Sequence, residues 1–565
     1  MLLTPLRAAG GAALLAAGGG AAYAYASFRR EFGEEALPRL VTAYSVAIPG
    51  FAAYKAVQLR HERLPRLLGL PVDEAAASAA YETLHEEWAP RGLEVILRLR
   101  GFNLKTGQMV ASNFGNVFPE KWQGVFEVLL DAVPPKPFAH VRATVEAGLG
   151  RALEEVFSSF EQAPIGSASI GQVHRATLRD GGRAVVVKVM YPEVEGQFRG
   201  DLFAAKRFAA VALPEHVKPL EEIEKQFANE FDYRREAAQL ASIRGNLARS
   251  GLFPEIVVPA PLPALCSKAV LVMEEVPNAK KLTAELREDM AFFAARRGMT
   301  LDALLAEERA LNREALARGE LRCGPSAAQS ATWAWQLGWA NFLGRLVGRA
   351  PQRVPLNHAA LLDELLRVHA HEVLVDGAFN GDPHPGNLLI TRPQLGSPRH
   401  ALALIDYGQV KELTLEERLK VARLMVALAR ADEADAAQRA GVARLLRDTG
   451  FATARNDPDV VFENARLFFD RDDPLVTRGL NTQAYIEELQ ARDATKTLGD
   501  AYVLVARCSL MLRGLGHLLN QHRSAAKAWA PTAEKVLREA GEDPAQVLPR
   551  AVERAKAEAA APALA

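Results

Sequence analysis

Cysteine is scarce in this chain. Cys266, Cys323 and Cys508 are three in number, odd and far apart, which excludes a disulfide framework and a metal-ligand spacing and reads as reduced, structural thiols. Excess charge of either sign is also missing. Lys plus Arg number 68 and Asp plus Glu number 68, so no basic surplus marks the molecule as a phosphate-backbone binder, and nucleic acid is not expected as a partner. No internal repeat of solenoid period is present. With 49% apolar and 24% charged residues the composition is not that of a disordered chain. A length of 565 residues allows three or four folding units at roughly 150 residues each.

The ends depart from this average. Between Arg7 and Arg29 lie 21 uncharged residues dominated by Ala and Gly, just long enough to cross a bilayer but adding little transfer energy per residue. Three readings stay open for this 1–30 leader: a removable organelle-targeting segment, a marginal membrane anchor, or a flexible leader. The absence of any acid before Glu31 fits a mitochondrial or a chloroplast route. A second apolar stretch, 41–54, is interrupted by Pro49 and too short to cross alone, so it is expected as a helix docked on the fold. The Ala-rich end, 551–565, reads as a fraying helix followed by coil.

Helical periodicity covers 72–153 and breaks at Pro134–Pro135. The period changes at 172–190, where apolar residues flank Asp180-Gly181-Gly182, the signature of a hairpin. Helix is expected again over 213–248, a buried strand at 269–273, a helix at 361–375, and strands near 388–391 and 401–405. From Thr414 onward nearly everything reads as helix, opened by the capping box Thr414-Leu-Glu-Glu417. Trp333, Trp335 and Trp339 are expected as core or interface aromatics rather than a binding platform.

Five segments carry chemistry. The run Gly166-Ser167-Ala168-Ser169-Ile170-Gly171-Gln172-Val173 follows the glycine-loop template G-x-G-x-x-G-x-V, with Ala168 in the middle glycine's place. Such a loop brings backbone N–H groups close to phosphates, and the Cβ of Ala168 restricts that approach. Fifteen residues after Val173, Lys188 closes a run of three valines, as the strand lysine of a kinase does, facing phosphate oxygens and a helix carboxylate. Glu230, Asp232 and Glu236 are the candidate carboxylates, and spacing does not choose among them. Asp382-Pro-His-Pro-Gly-Asn387 has the D-x-x-x-x-N spacing of a catalytic loop, and Asp406-Tyr-Gly408 stands where D-F-G would. Asn387 and Asp406 are then oxygen ligands for Mg²⁺, with Asp382 orienting or deprotonating an attacking hydroxyl or water. His384 reads as a ring hydrogen-bonded to hold the turn. These pieces stand in kinase order. Only 409–413 separate Gly408 from Thr414, leaving no room for an activation segment with A-P-E, which disfavours a polypeptide substrate.

At these residues the sequence resembles the UbiB family of atypical kinases, also described as aarF domain-containing. The resemblance rests on Lys105-Thr-Gly-Gln108, on 164–174, on Glu230-Phe-Asp232 and on 382–387, and spans about 90–540. It implies an α+β, bilobal protein-kinase-like fold, with a β-rich N-lobe, a helical C-lobe and an N-terminal helical extension. The corresponding organisation is 31–155 for the extension, 156–280 for the N-lobe, 281–545 for the C-lobe with an insertion near 287–356, and 546–565 for the tail. It also implies that the Lys105–Gln108 helix folds over the active site near Glu230, Asp232 and the nucleotide, which leaves Glu236 as the better partner for Lys188. By the same resemblance Asp382 is the catalytic Asp and Asn387 with Asp406 the metal ligands, with ATP and Mg²⁺ as cofactors.

The sequence departs from the family pattern at Gly166 and Ser167, where alanines are usual, and at Asn380, where His is frequent. The expected function is a Mg²⁺-dependent, ATP-binding atypical kinase or ATPase at an organelle membrane, supporting isoprenoid quinone biosynthesis or lipid homeostasis. Its expected partners are a nucleotide, a membrane or lipid-like small molecule, and quinone-biosynthesis proteins. A nucleotide-binding pseudokinase scaffold and a true protein kinase are the competing readings.

Overall fold

The computed structural model describes residues 29–30, 34–111, 119–126, 128–131, 135–167, 170–212, 217, 220–221, 224, 230–392, 400–480 and 482–560. Two compact units are formed, the first from the chain up to Arg234 with Ala264–Val272, the second chiefly from Arg235–Pro263 and Met273 onward. In chain order the strands used below are β1 Phe157–Phe160, β2 Gly166–Ser167, β3 Gly171–Leu178, β4 Ala184–Met190, β5 Ile256–Val257, β6 Val270–Glu274, β7 Ala279–Lys281, β8 Ala378–Asn380, β9 Leu388–Thr391, β10 Ala401–Leu404 and β11 Val410–Glu412.

The first unit joins helices α1 Ala36–Gln58, α2 Glu74–Leu99, α3 Gly101–Ala111, α4 Phe138–Leu149 and α5 Val194–Ala212 to a five-stranded sheet of order β1-β3-β4-β6, with β2 on the edge of β3. The expected hairpin is β3–β4, antiparallel with Val173 opposite Lys188. Its turn needs Gly181 and Gly182, whose φ values of 73° and 61° lie in the left-handed region. Val185, Val187, Val270 and Leu271 are fully buried, as expected for aliphatic strands covered on both faces.

Two expectations change in this unit. Helix begins at Val194 rather than at Leu213. Pro192 ends the strand, and Val194, Phe198 and Leu202, spaced by four, form the buried stripe; most of 213–229 lies outside the described residues. The stretch 41–54 is the middle of a longer helical run, Ala36–Leu67, which Pro49 does not interrupt. That run is docked, because Tyr44 donates to the Ala204 carbonyl at 2.8 Å and Phe51 meets Phe208 edge to face. It is nonetheless long and apolar enough to cross a membrane, and almost none of its apolar window is buried. Residues 8–28 lie outside the described residues.

The second unit is mainly helical. Helix α6 Tyr233–Ser250 leads into it, followed by α7 Leu282–Arg296, α8 Leu301–Ala317, α9 Ala327–Leu346, α10 His358–His371, α11 Leu415–Arg430, α12 Ala436–Arg447, α13 Pro458–Phe469, α14 Asp500–Leu518, α15 Ala525–Glu539 and α16 Val547–Ala560. Its strands form a four-stranded sheet of order β5-β10-β9-β7 and a two-stranded ladder, β8 with β11. The capping box opens α11 as expected, Glu417 returning to the Thr414 N–H at 2.8 Å.

The helix Val547–Ala560 is packed rather than fraying, and 561–565 lie outside the described residues. Val547, Leu548 and Ala551 are buried, and Glu558 pairs with Arg444 and Arg447 of α12. The three tryptophans of α9 are not core residues, since Trp333, Trp335 and Trp339 are all exposed. Of the three free thiols only Cys508 is buried, while Cys323 is exposed, so the structural role expected of all three does not extend to Cys323.

Candidate active site

In the first unit the glycine loop opens from β2, where Gly166 faces Val173 and Ser167 faces Gln172. Ala168 and Ser169 lie outside the described residues. The loop closes where the Tyr191 N–H donates to the Ile170 carbonyl at 2.9 Å. Gly171 is required by space, because a Cβ there would stand 2.4 Å from the Val189 carbonyl oxygen. A buried polar network braces the loop from below. The Tyr191 hydroxyl donates to Gln172 Oε1 at 3.0 Å and lies 3.0 Å from the Ser167 hydroxyl, and Gln172 Nε2 lies 3.0 Å from His174 Nε2. Burial holds the His174 ring below its ordinary pKa. A neutral ring that donates from Nδ1 to the Glu161 carbonyl at 2.8 Å and accepts at Nε2 satisfies both contacts.

Lys188 is half-buried on β4. Its ammonium lies 5.1 Å from the Tyr233 ring centroid, a cation–π contact that holds the side chain off the aliphatic floor. Glu230 and Asp232 precede α6, and the Asp232 carboxylate accepts from the Arg234 backbone N–H at 3.1 Å and from its guanidinium at 2.6 and 2.9 Å. Lys105 and Gln108 lie on α3, their side chains outside the described residues. The glycine between them is needed for close packing, as a Cβ on Gly107 would stand 2.6 Å from Leu129 Cδ1. Asn103 ties α3 to α5 through Asp201 at 2.9 Å, where Arg39 also pairs.

In the second unit, β8 and β11 hold the two acidic loops against each other, with Asn380 opposite Val410. Asn380 is the brace between them. Its Nδ2 donates to the Asp406 carbonyl at 2.9 Å and its Oδ1 accepts the Asp382 N–H at 2.8 Å. The residue that departs from the family's frequent His therefore supplies the support itself. His384 accepts the Gly386 N–H on Nδ1 at 3.0 Å, which holds the turn as expected.

The β9–β10 register pairs Leu388 with Leu404. The next step along each strand therefore brings Asn387 and Ile405 together, joined by a 3.3 Å backbone hydrogen bond. Asn387 and Asp406 thus stand at neighbouring strand ends, both half-buried. An amide oxygen and a carboxylate so placed suit a hard cation that keeps waters and phosphate oxygens as its other ligands. Among the described residues no cluster of three or more His, Cys, Asp or Glu is present that could hold a metal ion. Asp406 Oδ1 also accepts the Gly408 N–H at 2.9 Å. Glu236 is buried on the first turn of α6, and a Cβ on Gly408 would lie 3.3 Å from Asp406 Oδ1 and 3.8 Å from Glu236 Oε2. Lys188 belongs to the first unit and Glu236 to the second, so each is placed within its own unit. Asp382 pairs with Arg507 at 3.2 Å.

Sequence reasoning missed Asn380 as a brace, and it missed Glu372 and Arg507. Glu372 is fully buried, accepts the Tyr407 hydroxyl at 2.8 Å and is pushed by burial up to about 8. Its signal was a glutamate on the apolar stripe Leu361, Leu365, Val368. A cavity of about 490 Å³ flanked by Arg244, Phe253 and Pro277 holds none of these chemical groups.

A strand lysine under a glycine loop, an Asp–Asn loop and an Asp-x-Gly turn define the class, a protein-kinase-like fold. Residues 128–299 and 350–440 match the family model described as the ABC1 atypical kinase-like domain. Lys188, Glu236, Asp382, Asn387 and Asp406 fall inside the matched stretches, Lys105 and Gln108 outside. The "Probable protein kinase UbiB" of Vibrio cholerae serotype O1 (strain M66-2) is 36% identical over 181 residues, 31% of this chain and 32% of that protein. The Shewanella loihica protein of the same name is 32% identical over 209 residues, covering 35% and 37%. "AarF domain-containing protein kinase 1" of Gallus gallus is 24% identical over 395 residues, covering 69% and 62%. The chain therefore spans about a third of the length of the UbiB relatives it matches. A solved structure, the Rv3197–erythromycin complex from Mycobacterium tuberculosis, aligns with 82% of this chain and 98% of its own at 19% identity and a TM-score of 0.39.

Proposed function

We propose that this protein is a Mg²⁺-dependent, ATP-binding atypical kinase or ATPase that works at an organelle membrane, mitochondrial or chloroplast, in support of isoprenoid quinone biosynthesis or lipid homeostasis. The observation that carries it is the bracing of Asp382 and Asp406 by one buried asparagine, with Asn387 beside Asp406. Three half-buried polar groups are held in fixed register, as a preorganised charge-handling site requires. Bound Mg-ATP would supply the phosphoryl group and neutralise its charge. Asn387 and Asp406 would hold the cation, Lys188 and the glycine loop would hold phosphate oxygens, and Asp382 would take the proton from an attacking hydroxyl or water. The short 409–413 connection favours a small or lipid-like acceptor over a polypeptide. The exposed apolar helical run at Ala36–Leu67 supports the membrane part, and the resemblance to the UbiB family supports the quinone part.

Purified protein in vesicles should release phosphate from ATP only with Mg²⁺, and Asp406→Asn should lower the rate at least ~100-fold, the scale for losing one preorganised electrostatic group. An unchanged rate sinks the metal assignment. The pairing of Asp382 with Arg507 favours a second reading, a nucleotide-binding scaffold, because the guanidinium occupies the carboxylate that would act as base. Nucleotide that raises the melting temperature without turnover selects that reading. A metabolite profile of a loss-of-function strain tests the quinone assignment.

A further inference from the structure

Residues 300–349 separate the two stretches that match the family domain, and within them α9 is packed inside out. The less exposed face carries Ala327, Ser330, Ala334, Leu337, Asn341 and Gly344, mostly small or polar. Asn341 fastens it by donating to the Gln352 carbonyl at 2.8 Å and accepting the Gln352 N–H at 2.6 Å. Apart from Leu337 and from Trp333, whose ring lies 6.1 Å from that of Phe293, the large apolar side chains point the other way. Trp335, Trp339, Phe342 and Leu346 recur at i, i+4, i+7 and i+11, one stripe of a helix, and with Leu343 and Val347 they are 50–70% exposed. Trp335 meets Trp339 and Trp339 meets Phe342 edge to face, so the stripe is a continuous aromatic surface. A soluble helix ordinarily buries its large apolar face, and an exposed contiguous one marks a surface that something covers.

Charge identifies the cover. No Asp or Glu occurs between Glu320 and Asp363. Of the arginines in that span, Arg322 pairs with Glu308 and Arg353 with Glu285, Glu288 and Asp289. Arg345 and Arg349, at the end of the stripe, are exposed and have no ion-pair partner among the described residues. Tryptophans beside unpaired arginines, in a stretch of chain that carries no acid of its own, match the headgroup region of an anionic bilayer, where amphipathic rings sit at the interface and arginines meet lipid phosphates.

We infer that α9 is a membrane-surface helix, lying flat in the headgroup layer of an anionic phospholipid bilayer through Trp335, Trp339, Phe342 and Leu346, with Arg345 and Arg349 on the phosphates. This surface does not depend on the nucleotide reading, because none of its residues belongs to the candidate active site.

The test uses the full chain on phosphatidylcholine–phosphatidylglycerol vesicles with brominated acyl chains, which quench only tryptophans seated in the bilayer interface. The run Ala36–Leu67 can hold the protein on a vesicle by itself, so local quenching is read rather than sedimentation. Of the six tryptophans, Trp333, Trp335 and Trp339 are the exposed ones of α9, while Trp88 and Trp529 are buried. Brominated lipid should quench about a third of the emission, the share of Trp335 and Trp339 among the six tryptophans. Trp335→Phe with Trp339→Phe should remove most of that quenching while preserving shape and packing. Arg345→Glu with Arg349→Glu should shift the docked helix toward the undocked state about tenfold or more on anionic vesicles, and leave neutral vesicles unaffected. Asp406→Asn should leave the quenching unchanged. Quenching that survives the double Phe variant overturns the inference. So does a dimer that Trp335→Ser with Trp339→Ser converts to monomer in the absence of lipid, because the stripe would then be covered by a second copy.

Discussion

The loops around β8 and β11 and the helix α9 belong to one unit and treat polarity in opposite ways. Around the loops, Glu372 and Asn380 are buried polar groups and both are hydrogen-bonded. Glu372 is 0% exposed and takes the Tyr407 hydroxyl, while Asn380 is 6% exposed and bonded on both ends of its amide. On α9 the large apolar groups are outside, Leu346 at 70%, and the small residues are inside. Buried polar atoms are tolerated only when hydrogen-bonded, and each then ties its surroundings to one arrangement. Exposed apolar surface carries no such constraint within the chain and draws its stability from whatever covers it. The first region is built for internal registration, the second for an external contact, and substitutions should separate them.

The largest effect is expected at Asn380. Alanine there leaves the part-buried Asp382 N–H and Asp406 carbonyl without their partner, at a cost of about 2–3 kcal/mol for the lost pair. It also lets the two loops slide, which should show as a fall in turnover larger than the fall in nucleotide affinity. Chemical denaturation and steady-state kinetics on the same preparation check both. Stability loss with turnover intact would show that the brace supports the fold and not the site.

Glu372 comes next, through pH. Its folded pKa, raised by burial to about 8 from 4.5, means the folded state keeps a proton that the unfolded chain has released. Stability is therefore full below about 4.5 and declines as pH rises toward 8, at up to about 1.4 kcal/mol per pH unit. Glu372→Gln cannot titrate, so its unfolding free energy should be flatter than that of the parent between pH 5 and 8. Parallel curves would place the ionisation elsewhere.

The site was legible in the sequence wherever function is written in a few adjacent residues. The turn at Gly181–Gly182 and the capping box at Thr414 each depend on local backbone chemistry, and both stand as read. What sequence could not supply was tertiary. Nothing local says that a glutamate after His371 reaches the Tyr407 hydroxyl, or that Arg507, more than a hundred residues on, meets Asp382. Periodicity also identifies an apolar stripe without telling which way it faces. Of Trp333, Trp335 and Trp339, read as core or interface aromatics, Trp333 meets Phe293 while Trp335 and Trp339 begin the stripe that continues through Phe342 and Leu346. The structure turns this one outward because Asn341 and the small residues opposite it make the packed face. The N-terminal run misled in the reverse direction, since Pro49 suggested a break where the helix continues.

The smallest effect is expected on α9, and its smallness is informative. In a buried stripe, replacing two tryptophans by serine would cost several kcal/mol through lost burial and cavities. On α9 the rings contact solvent and one another more than the fold, so Trp335→Ser with Trp339→Ser should change the unfolding free energy in the absence of lipid by no more than about 0.5 kcal/mol, the usual range for surface sites. Urea unfolding without lipid measures this directly. A loss of 2 kcal/mol or more would mean that the stripe is core after all, and the contrast with the braced loops would disappear. A null result in water, joined to an increase in stability on anionic vesicles that the variant lacks, would locate the missing half of this helix's packing in the bilayer.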